Sequence, residues 1–93
     1  MTDQDNNFYN RADEHINLSN NQCQAQKPGQ VSASMLYATT RFNVWVSARG
    51  FDTADDMKAS KEEVVAYFMK QYKTMLEENY DDYANQFSDY MNR

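Results

Sequence analysis

Two glycines and one proline are all the strong turn formers in 93 residues. That scarcity excludes a β-sandwich or barrel, which needs turn signals every eight to twelve residues or so. A single cysteine, Cys23, excludes an internal disulfide framework. No apolar run approaches the roughly 20 residues of a membrane-crossing helix. The opening MTDQDNNF has neither the basic start nor the apolar stretch of a signal peptide. These absences lead to the expectation of a reduced cytoplasmic protein with no membrane association.

Chemistry is scarce as well. The one histidine, His15, follows Glu14 directly, so the Glu-x-x-His pairs of a carboxylate-bridged dimetal bundle are missing. Isolated glycines leave no phosphate or dinucleotide loop. Cys23 has no C-x-x-C partner, and no serine sits in a nucleophile motif. Asp52 to Glu63 imitates a calcium loop at its ends, but Met57 stands where the sharp turn demands glycine. A capped turn into a helix accounts for the same acids. The reading is no catalytic residue, no metal ligand and no cofactor, and an enzyme is disfavoured.

Charge is unevenly spread. Residues 16–51 contain no acid and carry Lys27, Arg41 and Arg49, whereas residues 52–93 hold ten acids against five bases. Three cations cannot form the basic stripe that nucleic-acid binding needs, so no nucleic-acid partner is expected.

What is present favours helix: Ala, Glu, Lys, Gln, Met and Leu are plentiful, beside seven tyrosines, five phenylalanines and one tryptophan. Phe8, Ala12 and Ile16 step by four and predict a helix over 4–22, with Thr2 or Asp5 at its start. Pro28-Gly29 suits a type II turn. Met35, Ala38, Phe42, Trp45 and Val46 predict a second helix over 32–49, capped by Ser32 and closed by a left-handed Gly50. A second apolar stripe, through Tyr37 and Val44, makes it the expected central helix. Thr53 with Asp56 and Ser60 with Glu63 read as start signals for a short turn at 53–58 and a long helix over 61–91. In that last helix Val65, Phe68, Met69, Tyr72, Met75, Leu76, Tyr80, Tyr83, Phe87 and Tyr90 keep to one side. The phase runs through ENYDDYANQF, so continuity is preferred to a cap at Asn79. The expected fold is an all-α, single-domain bundle of three main helices and a short helical turn, the last helix unusually long.

The blocks VSAS-x-LYA-x-x-RFN and MLEEN-x-DDY, with FYNRADEHINLSN before them, resemble the small proteobacterial family known as domain of unknown function 3144. The resemblance spans roughly residues 8 to 91. It implies a short helical bacterial protein and brings no catalytic or ligand residue with it.

Two functional expectations follow. In the first, the protein is a non-enzymatic interaction domain, a homodimer or the small partner of another protein. Its contact face is then the aromatic side of the last helix, with Tyr80, Tyr83, Phe87 and Tyr90 as anchors. In the second, Tyr37, Arg41 and Asn43 line a pocket for a small molecule between helices. The plain alternative for these three is structural, with Arg41 paired to an acid of the last helix.

Overall fold

A computed structural model describes residues 4–93 as five helices with no strand. They are α1 (Phe8–Gln22), α2 (Pro28–Ala48), α3 (Ala54–Ala59), α4 (Lys61–Asn85) and α5 (Phe87–Met91). The all-α class is as expected. The chain divides into two compact units, the first ending at Asp52 and the second spanning Thr53–Arg93.

In the first unit α1 packs on α2. Among the described residues Val31 alone is buried, 4% exposed, and nearby the Ser19 hydroxyl donates to the Met35 sulfur at 3.5 Å. Helix α1 starts at Phe8, later than expected, because Asp5 uses its carboxylate just upstream of the helix. One oxygen accepts the Asn7 N–H at 2.8 Å, and the two together take the Arg11 guanidinium at 3.1 and 2.9 Å. That guanidinium, then the Asn7 N–H, holds the Asp5 carboxyl below the usual range. Thr2 lies outside the described residues.

The turn expected at Pro28-Gly29 is instead the first turn of α2. Proline lacks an N–H and has a fixed φ, so it suits the first helical position, where that N–H would have no partner. Lys27, in extended conformation, is the N-cap, and its N–H donates to the Gln30 side chain at 3.4 Å. Ser32 therefore lies inside the helix. The chain reverses through Cys23–Lys27, where Gln24, Ala25 and Gln26 bond back to the carbonyls of Asn21 and Gln22. At the far end no glycine has positive φ, so the left-handed closure at Gly50 is not formed. Right-handed turns close α2, with Gly50 N–H on Ser47 O at 3.0 Å and Phe51 N–H on Ala48 O at 3.1 Å.

In the second unit α3 and α5 meet the two ends of α4. Thr53 caps α3 as expected, its hydroxyl oxygen accepting the Asp56 N–H at 3.1 Å. Ser60 does not repeat the motif. It ends α3 as it begins α4, and at φ −97°, ψ 5° it lacks the extended backbone of a side-chain cap. Helix α4 runs unbroken through Asn79, whose side chain donates to the Met75 carbonyl at 2.8 Å. The expected helix over 61–91 is interrupted once, at Gln86, with φ −119° and ψ 31°. Its N–H still reaches Asp82 O and its carbonyl still accepts from Tyr90, each at 3.0 Å. The hydrogen-bond ladder thus bridges the kink.

Candidate functional site

Helix α4 is 25 residues long, about 37 Å at 1.5 Å per residue. At 100° per residue Val65, Met69, Tyr72, Leu76, Tyr80 and Tyr83 lie within about 80° of one another. All six are exposed. Half-buried Val64, Phe68, Gln71 and Met75 occupy the adjacent side. The exposed stripe is therefore a separate face, as narrow as the seam of a coiled coil.

The four aromatic anchors named from the sequence are exposed, from 44% at Tyr90 to 73% at Tyr80. Two of them meet: the Tyr83 and Tyr90 ring centroids are 4.7 Å apart, with planes at 45°. Asp82 fixes this corner. One carboxylate oxygen accepts from the Gln86 amide at 2.7 Å, and the other accepts the Tyr90 hydroxyl at 2.9 Å. That hydrogen bond, ahead of a smaller effect of desolvation, raises the Tyr90 pKa. Sequence reasoning missed the Asp82–Gln86–Tyr90 tie, although its spacing of four and four along a helix was the available signal. Val65, Met69, Tyr72 and Leu76, placed from the sequence on the same side of the helix, are exposed beside the anchors.

The polar trio on α2 is not brought together. Tyr37 and Arg41 are one turn apart, whereas Asn43 is rotated about 200° from Arg41. Tyr37 and Arg41 are exposed and Asn43 is half-buried. Among the described residues the ion pairs join Arg11 to Asp5 and Lys73 to Glu77, and neither includes Arg41. The Arg49 guanidinium, by contrast, stacks 5.1 Å above the Trp45 ring.

A hollow of about 350 Å³ at the α1–α2 corner is lined by Gln22, Gln26, Gln30, Val31 and Ser34, three amides, a valine and a hydroxyl with no charge among them. A smaller one of about 180 Å³ lies against the kink, between Ala84 and Asp89. Among the described residues no group of three or more His, Cys, Asp or Glu could hold a metal ion. No helix of the described residues is long and apolar enough to cross a membrane.

Over residues 8–84 the chain matches the family described as "Protein of unknown function (DUF3144)". The match takes in α1 to α3 and nearly all of α4, and stops before Phe87 and Tyr90. The chain is also similar to the NMR structure of the protein NB7890A from Shewanella sp. That protein is 40% identical, with a TM-score of 0.78, over 97% of this chain and 96% of that one. No curated protein matches.

Proposed function

The chain belongs to DUF3144, a family of unknown function, and we propose that the protein is a non-enzymatic interaction domain of the cytoplasm, binding a helical protein partner through the exposed α4–α5 stripe. The carrying observation is the continuity of that stripe from Val65 to Tyr83. An aromatic side chain covers about 150–250 Å² when fully buried, so Tyr72, Tyr80, Tyr83, Phe87 and Tyr90 at about half exposure offer on the order of 500 Å². Val65, Met69 and Leu76 raise this toward the ~800 Å² that one side of a stable interface contributes. Contiguous apolar surface of this size marks interaction sites. Its narrowness matches a helix better than a flat surface, and the exposed thiol of Cys23 suits a reducing compartment.

The test is the native size of the protein in an extract of its own cells. The wild-type chain elutes well above its 10.9 kDa, and Tyr83→Asp, with helical circular dichroism retained, elutes as a monomer. Elution of both as monomers overturns the reading.

A further inference from the structure

We infer that the partner on this stripe is a second copy of the chain, paired antiparallel about a two-fold axis that passes by Leu76. The inference rests on the interaction reading above and names its occupant. A two-fold interface is isologous: where residue i meets residue j of the other copy, j meets i. A helix paired with its own copy in this way needs a contact pattern that reads the same from either end.

The stripe has that property. From Val65 through Met69, Tyr72, Leu76, Tyr80 and Tyr83 to Phe87, the steps are 4, 3, 4, 4, 3 and 4 residues, a sequence symmetric about Leu76. Antiparallel pairing sets Leu76 against Leu76 of the other copy, Tyr72 against Tyr80, Met69 against Tyr83 and Val65 against Phe87. Each large ring thus meets a ring or an aliphatic chain. Phe87 follows the kink at Gln86, so the outermost pair is the one most dependent on that bend.

Charge selects the direction. Before Leu76 the helix carries Lys61, Lys70 and Lys73 against Glu62 and Glu63, while every charge from Glu77 to Met91 is an acid: Glu77, Glu78, Asp81, Asp82 and Asp89. Parallel pairing would lay five acids beside five. Antiparallel pairing brings Lys70 and Lys73 of one copy alongside the acids of the other, with Glu62 and Glu63 set apart at the outer ends, level with Tyr90 and Asp89. Lys73 and Glu77 flank the same border of the stripe and are largely exposed, their ends 3.4 Å apart within one helix. Across the axis, Lys73 of one copy falls within about two residues of the level of Glu77 in the other, and Lys70 falls near Asp81. Complementary charge of this kind fixes orientation and register.

The experiment uses the purified full chain, with single cysteines introduced in a Cys23→Ser background. Light scattering should give twice 10.9 kDa. Under mild oxidation Leu76→Cys should cross-link between copies. Met69→Cys should not, because the antiparallel register separates its two copies by about 21 Å along the axis, far beyond disulfide reach. A cross-link at Met69→Cys, or a dimer with none at Leu76→Cys, overturns the antiparallel register. A monomeric purified chain overturns self-pairing. If the complex in cell extract persists, the interaction reading still stands.

Two surface variants give a second measurement that leaves the stripe untouched. Lys73→Glu alone and Glu77→Lys alone should each weaken the dimer several-fold. Mixed together they should restore wild-type affinity, since the unlike copies present opposite charges at both sites. A mixture no tighter than either variant overturns the proposal.

Discussion

The exposed apolar residues of α2 and those of α4 are arranged differently. On α2, Leu36, Tyr37, Phe42, Val44, Trp45 and Val46 are exposed and point in almost every direction round the helix axis. On α4 they form one narrow stripe, with Tyr67 the exception on the opposite side. A belt has no preferred direction and specifies no single partner. A stripe specifies one helix in one orientation. The first unit also has a residue it buries for itself, Val31 between α1 and α2, while none of the described residues of the second is buried. Contact within the unit therefore accounts for part of the first unit's apolar surface and for much less of the second's.

The largest effect should separate stripe from belt. Tyr83→Asp places a charge among rings and is expected to weaken association by at least ~2 kcal/mol, about 30-fold, the scale of an interface hot spot. Tyr37→Asp, made at a still more exposed aromatic on the belt, should leave the mass in light scattering unchanged. Equal loss from both would erase the distinction. Next comes the buried residue of the first unit. Val31→Ala removes two methyl groups from an almost fully covered site, a loss of about 1.5–2 kcal/mol at ~0.8 kcal/mol per buried carbon with a small addition for the space left. Urea denaturation followed by circular dichroism reads it directly. A shift under 0.5 kcal/mol, the usual range of surface changes, would mean that the α1–α2 contact contributes little.

Helical class, the two long helices and the phase of the stripe were legible in the sequence because each rests on a repeating pattern. Asn79 and Asp82, both poor helix residues, did not break α4, since the apolar period continued on either side of them. Single residues with two readings were not legible. Pro28 serves a turn or a helix start equally well, and only the extended backbone at Lys27 decides between them. Gly50 permits a left-handed closure without requiring one. The kink at Gln86 gave no warning, because glutamine is a good helix former and Phe87 and Tyr90 keep the earlier phase. Of the candidate residues, the alignment of Tyr80, Tyr83, Phe87 and Tyr90 on one side could be read from spacing alone. The trio on α2 failed as a cluster on the same arithmetic, since Arg41 and Asn43 are two residues apart and two residues cannot share a helix face.

Smaller effects probe the joints of the second unit. Thr53→Ala removes the side-chain acceptor of the Asp56 N–H and should cost about 1 kcal/mol, the usual worth of an N-cap. Ser60→Ala should cost almost nothing, because Ser60 makes no capping bond. Similar losses from the two would show that the caps are not distinguished as their backbones suggest.

The smallest effect is at the α4–α5 corner, where it appears as a pH dependence. The Tyr90 hydroxyl donates to the Asp82 carboxylate, and that bond raises its pKa above the unfolded value of about 10. A raised pKa means the folded state holds the proton more tightly than the unfolded state. Its contribution is thus fully present below about pH 10 and is lost as pH rises through the folded value. Loss of the proton replaces a hydrogen bond with a phenolate facing a carboxylate. Tyrosinate absorbance should show one late-titrating group that Tyr90→Phe removes, and Asp82→Asn should bring that group back toward the others. Helical signal lost in the same pH window by the wild type, and not by Tyr90→Phe, would tie the bond to the seating of α5. A titration identical in all three chains would show that Asp82 does not hold the Tyr90 proton in solution.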